Sequence, residues 1–334
     1  MFKLNFNISQ WAQNAQHVAR TLALCSAALI MSASVDAQSN NSIKIIVPFT
    51  PGTGMDTIAR AISPHLSERM GVPVVVQNSP GASGNIGADM VAKSNPDGNT
   101  ILMGANTMLI AAQLYKNVPF NPVKDFAPVS MTAWGTLMLV ANPKTGIKTV
   151  QDLVRISTAK PDSINFGSPG VGTPHHMAME LLKLETHTNL LHVPYKGTAG
   201  YTQDLLAGEI NVGFLPVHVA QSFVASGKLN ALAVGSSKRH PIAPNVPTFA
   251  ELGFKDIDVD LWYAFFYPVK TPPPLVERMN KELSVVLNSP EIKEILSKAG
   301  LDAYVSSPAD LGRIAAKDYA RWGALIQTKG ITFD

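Results

Sequence analysis

Short runs rich in β-branched residues alternate with segments of helical periodicity along this 334-residue chain. The first run, Ile43–Phe49, carries one charge at Lys44 and is typical of a buried strand. Apolar residues then recur at three-to-four spacing from Met55 to Met70, and Gly71 ends this predicted helix. Because parallel strands need helical crossovers, the alternation predicts an α/β fold with largely parallel sheets.

The same alternation continues to the end of the chain. Further strands are predicted at Val72–Gln77, Thr100–Ala105, Ile164–Phe166, Leu190–Pro194, Ile210–Leu215 and Leu229–Val234. Further helices are predicted at 85–93, 149–160, 174–185, 200–207, 274–288, 291–298 and 308–329. Thr149 and Asp152 have the spacing of a capping box at the start of one of these helices.

Two long extended runs, Thr136–Pro143 and Asp258–Val269, interrupt the alternation. We interpret them as strands that cross between two lobes. This predicts a discontinuous first lobe made of residues 38–138 and 265–334, with residues 139–264 inserted as the second lobe.

The first 37 residues predict a secretory signal peptide. Lys3 and Arg20 are the only basic residues before an apolar stretch at 22–35, and small side chains lead to Ala37. Because this stretch is shorter than the ~20 residues that span a bilayer, a cleaved signal is favoured over a membrane anchor. Cleavage is expected after Ala37, with the mature chain in the periplasm.

Cys25 is the only cysteine of the chain and lies within the predicted signal peptide. A lipoprotein would carry a small residue before the acylated cysteine, whereas Leu24 precedes Cys25. The mature chain then has no disulfide, no thiol nucleophile and no cysteine-based metal site. Export without disulfides is consistent with a bacterial periplasmic protein that has a sufficient core of its own.

Several classes of function are disfavoured by composition and motifs. Apolar residues make up 46% of the chain and charged residues 15%, and the net charge of +3 is scattered, so nucleic acid is a poor candidate partner. The sequence has no H-E-x-x-H and no G-x-S-x-G motif. The adjacent pair His175-His176 would point in different directions on a helix. We therefore expect no metal, no cofactor and no catalytic residues.

Three glycine-rich loops each follow a predicted strand and precede a predicted helix. They are Pro48–Asp56, Asn78–Asn85 and Gly167–Thr173. Glycine lets a backbone approach a ligand closely, and a helix N-terminus offers unpaired N–H groups with partial positive charge. One such loop is commonly only a turn, but three favour a composite anion site at the carboxyl ends of the strands.

Longer motifs occur in a fixed order along the mature chain. They are Ile45-Ile46-Val47-Pro48-Phe49, Asn95-Pro96-Asp97-Gly98, Val123–Ser130, Phe166–Gly172, His192-Val193-Pro194-Tyr195-Lys196-Gly197, Gly227-Lys228-Leu229 and Val246-Pro247-Thr248. With these motifs the sequence resembles the Bug family, the periplasmic receptors of tripartite tricarboxylate transporters. The resemblance covers essentially all of the mature chain.

The resemblance implies a two-lobed periplasmic-binding-protein (Venus flytrap) fold with a hinge of two crossing strands. One ligand carboxylate would lie against the first glycine-rich loop, and the second lobe would contribute contacts from Ser168–Thr173 and Lys196-Gly197. The ligand-binding residues expected are Phe49, Pro51, Gly52, Thr53, Gly54, Asp56, Ser79, Gly81, Ala82, Asn106, Ser168, Gly170, Gly172, Thr173, His176, Lys196 and Gly197.

Four apolar residues are candidates for the far wall of the cleft: Trp134, Phe214, Leu215 and Trp262. The alternative is that they belong to the lobe cores, which is favoured for Phe214 and left open for Trp262. An apolar wall would favour a dicarboxylate with a hydrocarbon or aromatic body over a charged amino acid.

The predicted function is therefore capture of a small organic di- or tricarboxylate, aromatic ones included, by a periplasmic solute-binding protein. Its partners would be the ligand and the membrane subunits of a tripartite tricarboxylate-type transporter, and we expect a monomer. The alternative is an exported carboxylate-processing enzyme on a similar scaffold, with Asp56 or His176 as its base.

Overall fold

The computed structural model describes residues 42–254, 257, 259 and 261–331. The predicted signal peptide, its cleavage site at Ala37 and Cys25 lie outside these residues. The strands are β1 (Ile43–Val47), β2 (Val74–Asn78), β3 (Thr100–Ala105), β4 (Phe126–Gly135), β5 (Leu137–Ala141), β6 (Asn165–Ser168), β7 (Leu191–Pro194), β8 (Val212–Pro216), β9 (Asn230–Val234), β10 (Leu261–Pro268) and β11 (Leu301–Ala303).

The helices connect these strands. They are α1 (Gly54–Met70), α2 (Asn85–Ala92), α3 (Thr107–Leu114), α4 (Val150–Ala159), α5 (Pro174–Thr186), α6 (Thr198–Ala207), α7 (Val217–Ala225), α8 (Pro273–Asn288), α9 (Pro290–Lys298) and α10 (Pro308–Lys329). Two short 3₁₀ turns lie at Ala82–Gly84 and Pro143–Thr145. The predicted α/β class is confirmed.

The strands form two sheets. The first has the order β11-β4-β10-β3-β1-β2 and the second the order β7-β6-β8-β5-β9. Pairing is parallel among β1, β2 and β3 and among β6, β7 and β8, as expected for strands joined through helices. β10 and β5 run antiparallel to their neighbours, so both sheets are mixed rather than largely parallel.

The chain passes from the first sheet to the second at Thr136, and it returns between Val234 and Leu261. β10 pairs inside the first sheet along its whole length, from Leu261 opposite Gly135 to Pro268 opposite Phe126. The strand of the first predicted crossing run, β5, therefore belongs to the second sheet, and that of the second run, β10, belongs to the first sheet. The predicted lobe boundary at 264/265 falls within β10. Asp258, the start of the second run, lies outside the described residues. The lobe division itself stays a prediction.

The apolar run of β1 is explained by burial of both faces of the first sheet. Ile45 belongs to the buried cluster that contains Ile58 of α1 and Leu283 of α8, whereas its neighbour Ile46, on the opposite face, belongs to the cluster that contains Leu311 of α10. A strand covered by helices on both faces reads as a continuous apolar run rather than an alternating one.

Several helices begin or end at the capping residues that the sequence predicts. Thr53 caps α1, and Gly71 ends it in the left-handed conformation with φ of 71°. The predicted capping box at Thr149 is confirmed, because Thr149 Oγ1 accepts a hydrogen bond from the Asp152 N–H at 3.0 Å and the Asp152 carboxylate accepts one from the Thr149 N–H at 3.2 Å.

Four elements were not predicted from the sequence: α3, α7, β4 and β11. α3 is buried over most of its surface, including Met108, Leu109 and Ile110, so its sequence has no polar face from which a helical period could be recognised. α7 begins directly after β8, and its Val217 and Val219 extend the apolar run of that strand, so the sequence does not mark where the helix begins.

Trp262 is buried in the first sheet, where its indole N–H donates a hydrogen bond to Asp318 Oδ2 at 2.8 Å. Trp134 lies opposite Trp262 on the neighbouring strand and makes an edge-to-face contact with Tyr304. Burial raises the pKa of Asp318, against the effect of this hydrogen bond. The Trp262–Asp318 pair thus joins the sheet to α10.

We expect Trp262→Phe to lower the free energy of unfolding by about 1–3 kcal/mol, because a half-buried carboxyl group loses its donor. Trp134→Phe, the matched control, removes no donor to Asp318 and should cost less. Urea denaturation at pH 7 measures both values. Equal losses in the two variants would contradict this account of Trp262.

Candidate functional site

Four helices begin around one small cavity of about 30 Å³. Thr53 caps α1 and Thr107 is the first residue of α3, both next to the first sheet. Thr173 caps α5 and Thr198 is the first residue of α6, both next to the second sheet. All four threonines line the cavity. Since N–H groups in a first helical turn lack intrahelical acceptors and carry partial positive charge, this arrangement suits an anion.

The topology explains why these helix starts meet. α1 follows β1, α3 follows β3, α5 follows β6 and α6 follows β7. β1 and β3 are parallel neighbours in one sheet, and so are β6 and β7 in the other. Their carboxyl ends therefore lie at one edge of each sheet, and the two edges face each other across the cavity.

A larger cavity of about 210 Å³ adjoins the small one, and the two share Phe49 and Pro169. Its walls come from both sheets' loops: Phe49, Gly81, Ala82, Ser83, Gly84 and Tyr115 on one side, and Pro169, Gly170, Val171, Pro194, Tyr195 and Lys196 on the other. No aspartate or glutamate belongs to the lining of either cavity, and one lysine does. The charge balance of the lining therefore favours an anion.

The predicted site residues divide into two groups. Those that line a cavity are Phe49, Thr53, Gly54, Gly81, Ala82, Gly170, Thr173 and Lys196. Those that line neither cavity are Pro51, Gly52, Asp56, Ser79, Asn106, Ser168, Gly172, His176 and Gly197. Lining residues that the prediction missed include Ser83, Tyr115, Thr107, His175, Tyr195 and Thr198.

Asp56 holds the first glycine-rich loop in place. Its carboxylate accepts hydrogen bonds from the Gly52 N–H, from Arg60 Nε and from Asn78 Nδ2, each at 3.0 Å. Asn78 Nδ2 also donates to the Phe49 carbonyl at 3.0 Å. Burial would raise the pKa of Asp56, but the hydrogen bonds from Arg60, Gly52 and Asn78 hold it below the ordinary value. A direct ligand contact by Asp56 is not supported, because its oxygens are occupied.

The second glycine-rich loop has an unusual backbone. Four consecutive residues have positive φ: Gly81 at 139°, Ala82 at 46°, Ser83 at 53° and Gly84 at 92°. For residues with a Cβ this conformation costs roughly 1–2 kcal/mol each, so Ala82 and Ser83 are strained. The turn presents Ser83 to the cavity, where its hydroxyl is 3.1 Å from the Tyr115 hydroxyl.

Ser168, His176 and His192 form a buried polar cluster beside the cavities. Ser168 Oγ lies 2.7 Å from His192 Nε2, and the rings of His192 and His176 stack with centroids 4.2 Å apart. His176 Nδ1 accepts a hydrogen bond from the Gly172 N–H at 3.1 Å. Ser168 and His192 resemble a nucleophile and its base, but neither lines a cavity, and burial lowers the pKa of His192 to about 3. The cluster therefore fixes the shape of the third glycine-rich loop.

Three glycines permit close contact between the two halves of the molecule, that is, between the first sheet with its helices and the second sheet with its helices. A Cβ on Gly170 would lie 2.7 Å from Ser83 Oγ, and one on Gly172 would lie 2.9 Å from Ala111 Cα. A Cβ on Gly197 would overlap Thr50 Oγ1. Side chains at these positions would hold the loops of the two sheets apart.

The four apolar residues that were candidates for the far wall of the cleft do not line the cavities. Trp134, Phe214, Leu215 and Trp262 line neither cavity. Phe214, Leu215 and Trp262 are buried in the cores, as the alternative interpretation has it. The apolar lining comes instead from Phe49, Val171 and the rings of Tyr115 and Tyr195.

Neither a membrane span nor a metal cluster is found in the part of the chain that the structure describes. No helix there is both long and apolar enough to cross a bilayer. The same residues hold no group of three or more histidine, cysteine, aspartate or glutamate side chains that could bind a metal ion.

Comparison with known proteins gives one consistent result. Residues 58–331 match the model of the tripartite tricarboxylate transporter family receptor. The chain belongs to this family. Protein BugT of Bordetella pertussis is 31% identical over 309 residues, which cover 92% of this chain and 95% of BugT.

Several solved structures share the fold. The periplasmic binding protein BugD is 29% identical with a TM-score of 0.83, covering 87% of this chain and 98% of BugD. Rpa4515 of R. palustris with adipate is 30% identical with a TM-score of 0.83 (88% and 99% covered). MatC of Rhodopseudomonas palustris with bound malate is 27% identical with a TM-score of 0.81 (85% and 98% covered). The receptor thus has the periplasmic-binding-protein fold.

We expect Gly197→Ala to separate the two halves of this receptor and to raise its radius of gyration in small-angle X-ray scattering. The φ of Gly197 is 164°, an extended conformation open to alanine, so the new Cβ acts through Thr50 alone. Adding Thr50→Ala should restore the smaller radius. Gly312→Ala, where a Cβ would make an ordinary 3.6 Å contact with Pro128, is the control. An unchanged radius in Gly197→Ala would contradict the contact.

We expect the stability of the ligand-free receptor to fall as the pH is lowered from 6.5 to 4.5. Burial lowers the pKa of His175 to about 3 and that of His218 to about 4, whereas an unfolded histidine titrates near 6.5. In this window the unfolded chain binds more protons, so the free energy of unfolding decreases with falling pH. Urea denaturation should show a slope shallower by up to about 1.4 kcal/mol per pH unit in His175→Phe. Identical slopes in both proteins would contradict the burial argument.

Proposed function

We propose that this receptor captures a small organic dicarboxylate in the periplasm and delivers it to the membrane subunits of a tripartite tricarboxylate-type transporter. The observation that carries the proposal is the meeting of four helix N-termini, at Thr53, Thr107, Thr173 and Thr198, around one cavity without acidic residues. A carboxylate there would accept hydrogen bonds from backbone N–H groups of both halves.

A second carboxylate would lie near Lys196, at the edge of the larger cavity. Lys196 is exposed, and no carboxylate forms an ion pair with it among the residues described. A lysine of this kind supplies a positive charge to a ligand without first breaking an internal salt bridge. The ligand class that fits both ends is therefore a dianion rather than a monocarboxylate.

The body of the ligand would lie between these ends. Phe49, Tyr115, Val171 and Tyr195 give the larger cavity an apolar and aromatic lining that suits a hydrocarbon chain or a small ring. The cavities are small beside the roughly 300–1,000 Å³ of pockets for drug-sized ligands. Two similar receptors were solved with dicarboxylates, one with adipate and one with malate, which supports this class.

Capture would proceed by closure of two lobes about the chain crossings near Thr136 and before Leu261. The lobes would follow the two sheets, with residues 261–264 moved from the predicted second lobe to the first. A ligand held by helix starts of both sheets adds contacts that exist only in the closed state, and so it shifts the population toward closure. One chain supplies the whole site, so we expect a monomer.

The alternative function, an exported carboxylate-processing enzyme, would need a base or nucleophile facing the ligand. Asp56 and His176, the candidate bases, line neither cavity and are engaged in hydrogen bonds that shape loops. Binding without reaction is tested by incubating the receptor with its acid and recovering the acid. We expect it unchanged by mass spectrometry, and a converted product would favour the enzyme.

We expect Lys196→Met to weaken binding of a dicarboxylate about tenfold and to leave monocarboxylate binding unchanged within twofold, because only the second carboxylate loses its partner. Calorimetry with adipate against hexanoate, and with succinate against butyrate, measures the difference. Lys293→Met on the exposed face of α9 is the matched control. Equal weakening of mono- and dicarboxylates by Lys196→Met would contradict the two-ended site.

A further inference from the structure

The imidazole of His175 has no hydrogen-bond partner in the described part of the chain, although it is buried. His175 is the second residue of α5, its exposed fraction is 6%, and it lines the small cavity where the four helices begin. Neither ring nitrogen, Nδ1 or Nε2, has a partner. Buried polar groups are nearly always paired in folded proteins, so an unpaired imidazole next to a cavity points to a partner that comes from outside the chain.

The ring is uncharged at neutral pH, since burial lowers the pKa of His175 to about 3. A neutral imidazole offers one N–H donor and one nitrogen acceptor. The N–H can donate to a carboxylate oxygen, as the helix N–H groups do. The other nitrogen needs a donor, and an ionised carboxylate has none.

Two hydroxyl groups near His175 are already engaged. The ring of Tyr201 makes an edge-on contact with that of His175, and its hydroxyl donates to the Phe214 carbonyl. The Thr173 hydroxyl, two residues before His175, donates to the Gly170 carbonyl at 2.7 Å. Neither of these two hydroxyl groups pairs with the acceptor nitrogen, which is left without a partner and open to a donor from the ligand.

Two ligand groups next to a carboxylate could donate to this nitrogen: an ammonium group, as in an amino acid, and a hydroxyl group. An ammonium group would face four helix N-termini of positive partial charge, and the cavity lining has no aspartate or glutamate to neutralise it. A hydroxyl group is uncharged and can donate to the acceptor nitrogen of His175.

We propose that His175 is the specificity-determining residue of the small cavity, selecting acids that carry a hydroxyl group next to the bound carboxylate over the unsubstituted acid and over the amino acid. This inference rests on the proposed function, because it assigns the chemistry of one end of the same dicarboxylate. It names the ligand class as 2-hydroxy dicarboxylates.

The test compares malate, succinate and aspartate, which differ only in the group beside one carboxylate. Calorimetry on the wild-type receptor should give binding of malate at least tenfold tighter than that of succinate, with aspartate weakest. In His175→Leu the malate preference should fall to less than threefold, because malate loses the partner of its hydroxyl group in addition to the N–H contact to its carboxylate, whereas succinate loses only the N–H contact. His65→Leu, a histidine outside both cavities, is the matched control.

Two further variants guard against a folding defect. His175→Asn and His175→Gln each keep one donor and one acceptor, and at least one should retain part of the malate preference. If His175→Leu does not fold, these variants are compared with His175→Met at the same position.

The outcomes are distinguishable. A malate preference that survives in His175→Leu, an equal loss of malate and succinate binding, or a wild type without preference for malate over succinate would each overturn the role of His175. If the wild type bound neither these acids nor adipate, the proposed function itself would fail instead.

Discussion

The structure depends on the concentration of positive partial charge where α1, α3, α5 and α6 begin. Aligned peptide dipoles that end at one small cavity repel one another. Their first-turn N–H groups lack acceptors within the helix, and the Thr53 and Thr173 hydroxyls accept from one N–H each, those of Asp56 and His176. An anion between them relieves both costs at once. Because two of the helices belong to each sheet, an anion at this cavity would contact elements of both sheets.

The loops around this cavity are held by contacts that the ligand does not provide. Asp56 holds the first glycine-rich loop in place through hydrogen bonds with Arg60 and Asn78. The cluster of Ser168, His192 and His176 holds the third glycine-rich loop. Such supporting interactions hold the loops beside the cavities without a contribution from a ligand. A preorganised site loses less free energy in ordering when the ligand binds.

The sequence allowed the fold class and the glycine-rich loops beside the cavities to be predicted, because both rest on local signals: β-branched runs, and glycine between a strand and a helix. Thr53 and Thr173 lie in these loops, and both line the small cavity. Asp56 and His176 are residue types that commonly occur in binding sites, but in this fold their side chains accept hydrogen bonds from the N–H groups of the adjacent loops. His175, Ser83 and Tyr115 could not be placed from spacing alone, since their position at the cavities depends on how the two sheets face each other.

The central claim is that a charged carboxylate binds where the four helices begin, and calorimetric titration with adipate and with its dimethyl ester tests it most directly. The ester keeps the chain and the oxygen atoms but carries no charge for the helix N-termini and Lys196 to stabilise. The account predicts a measurable affinity for adipate and none for the diester. Binding of both compounds with the same affinity would contradict it.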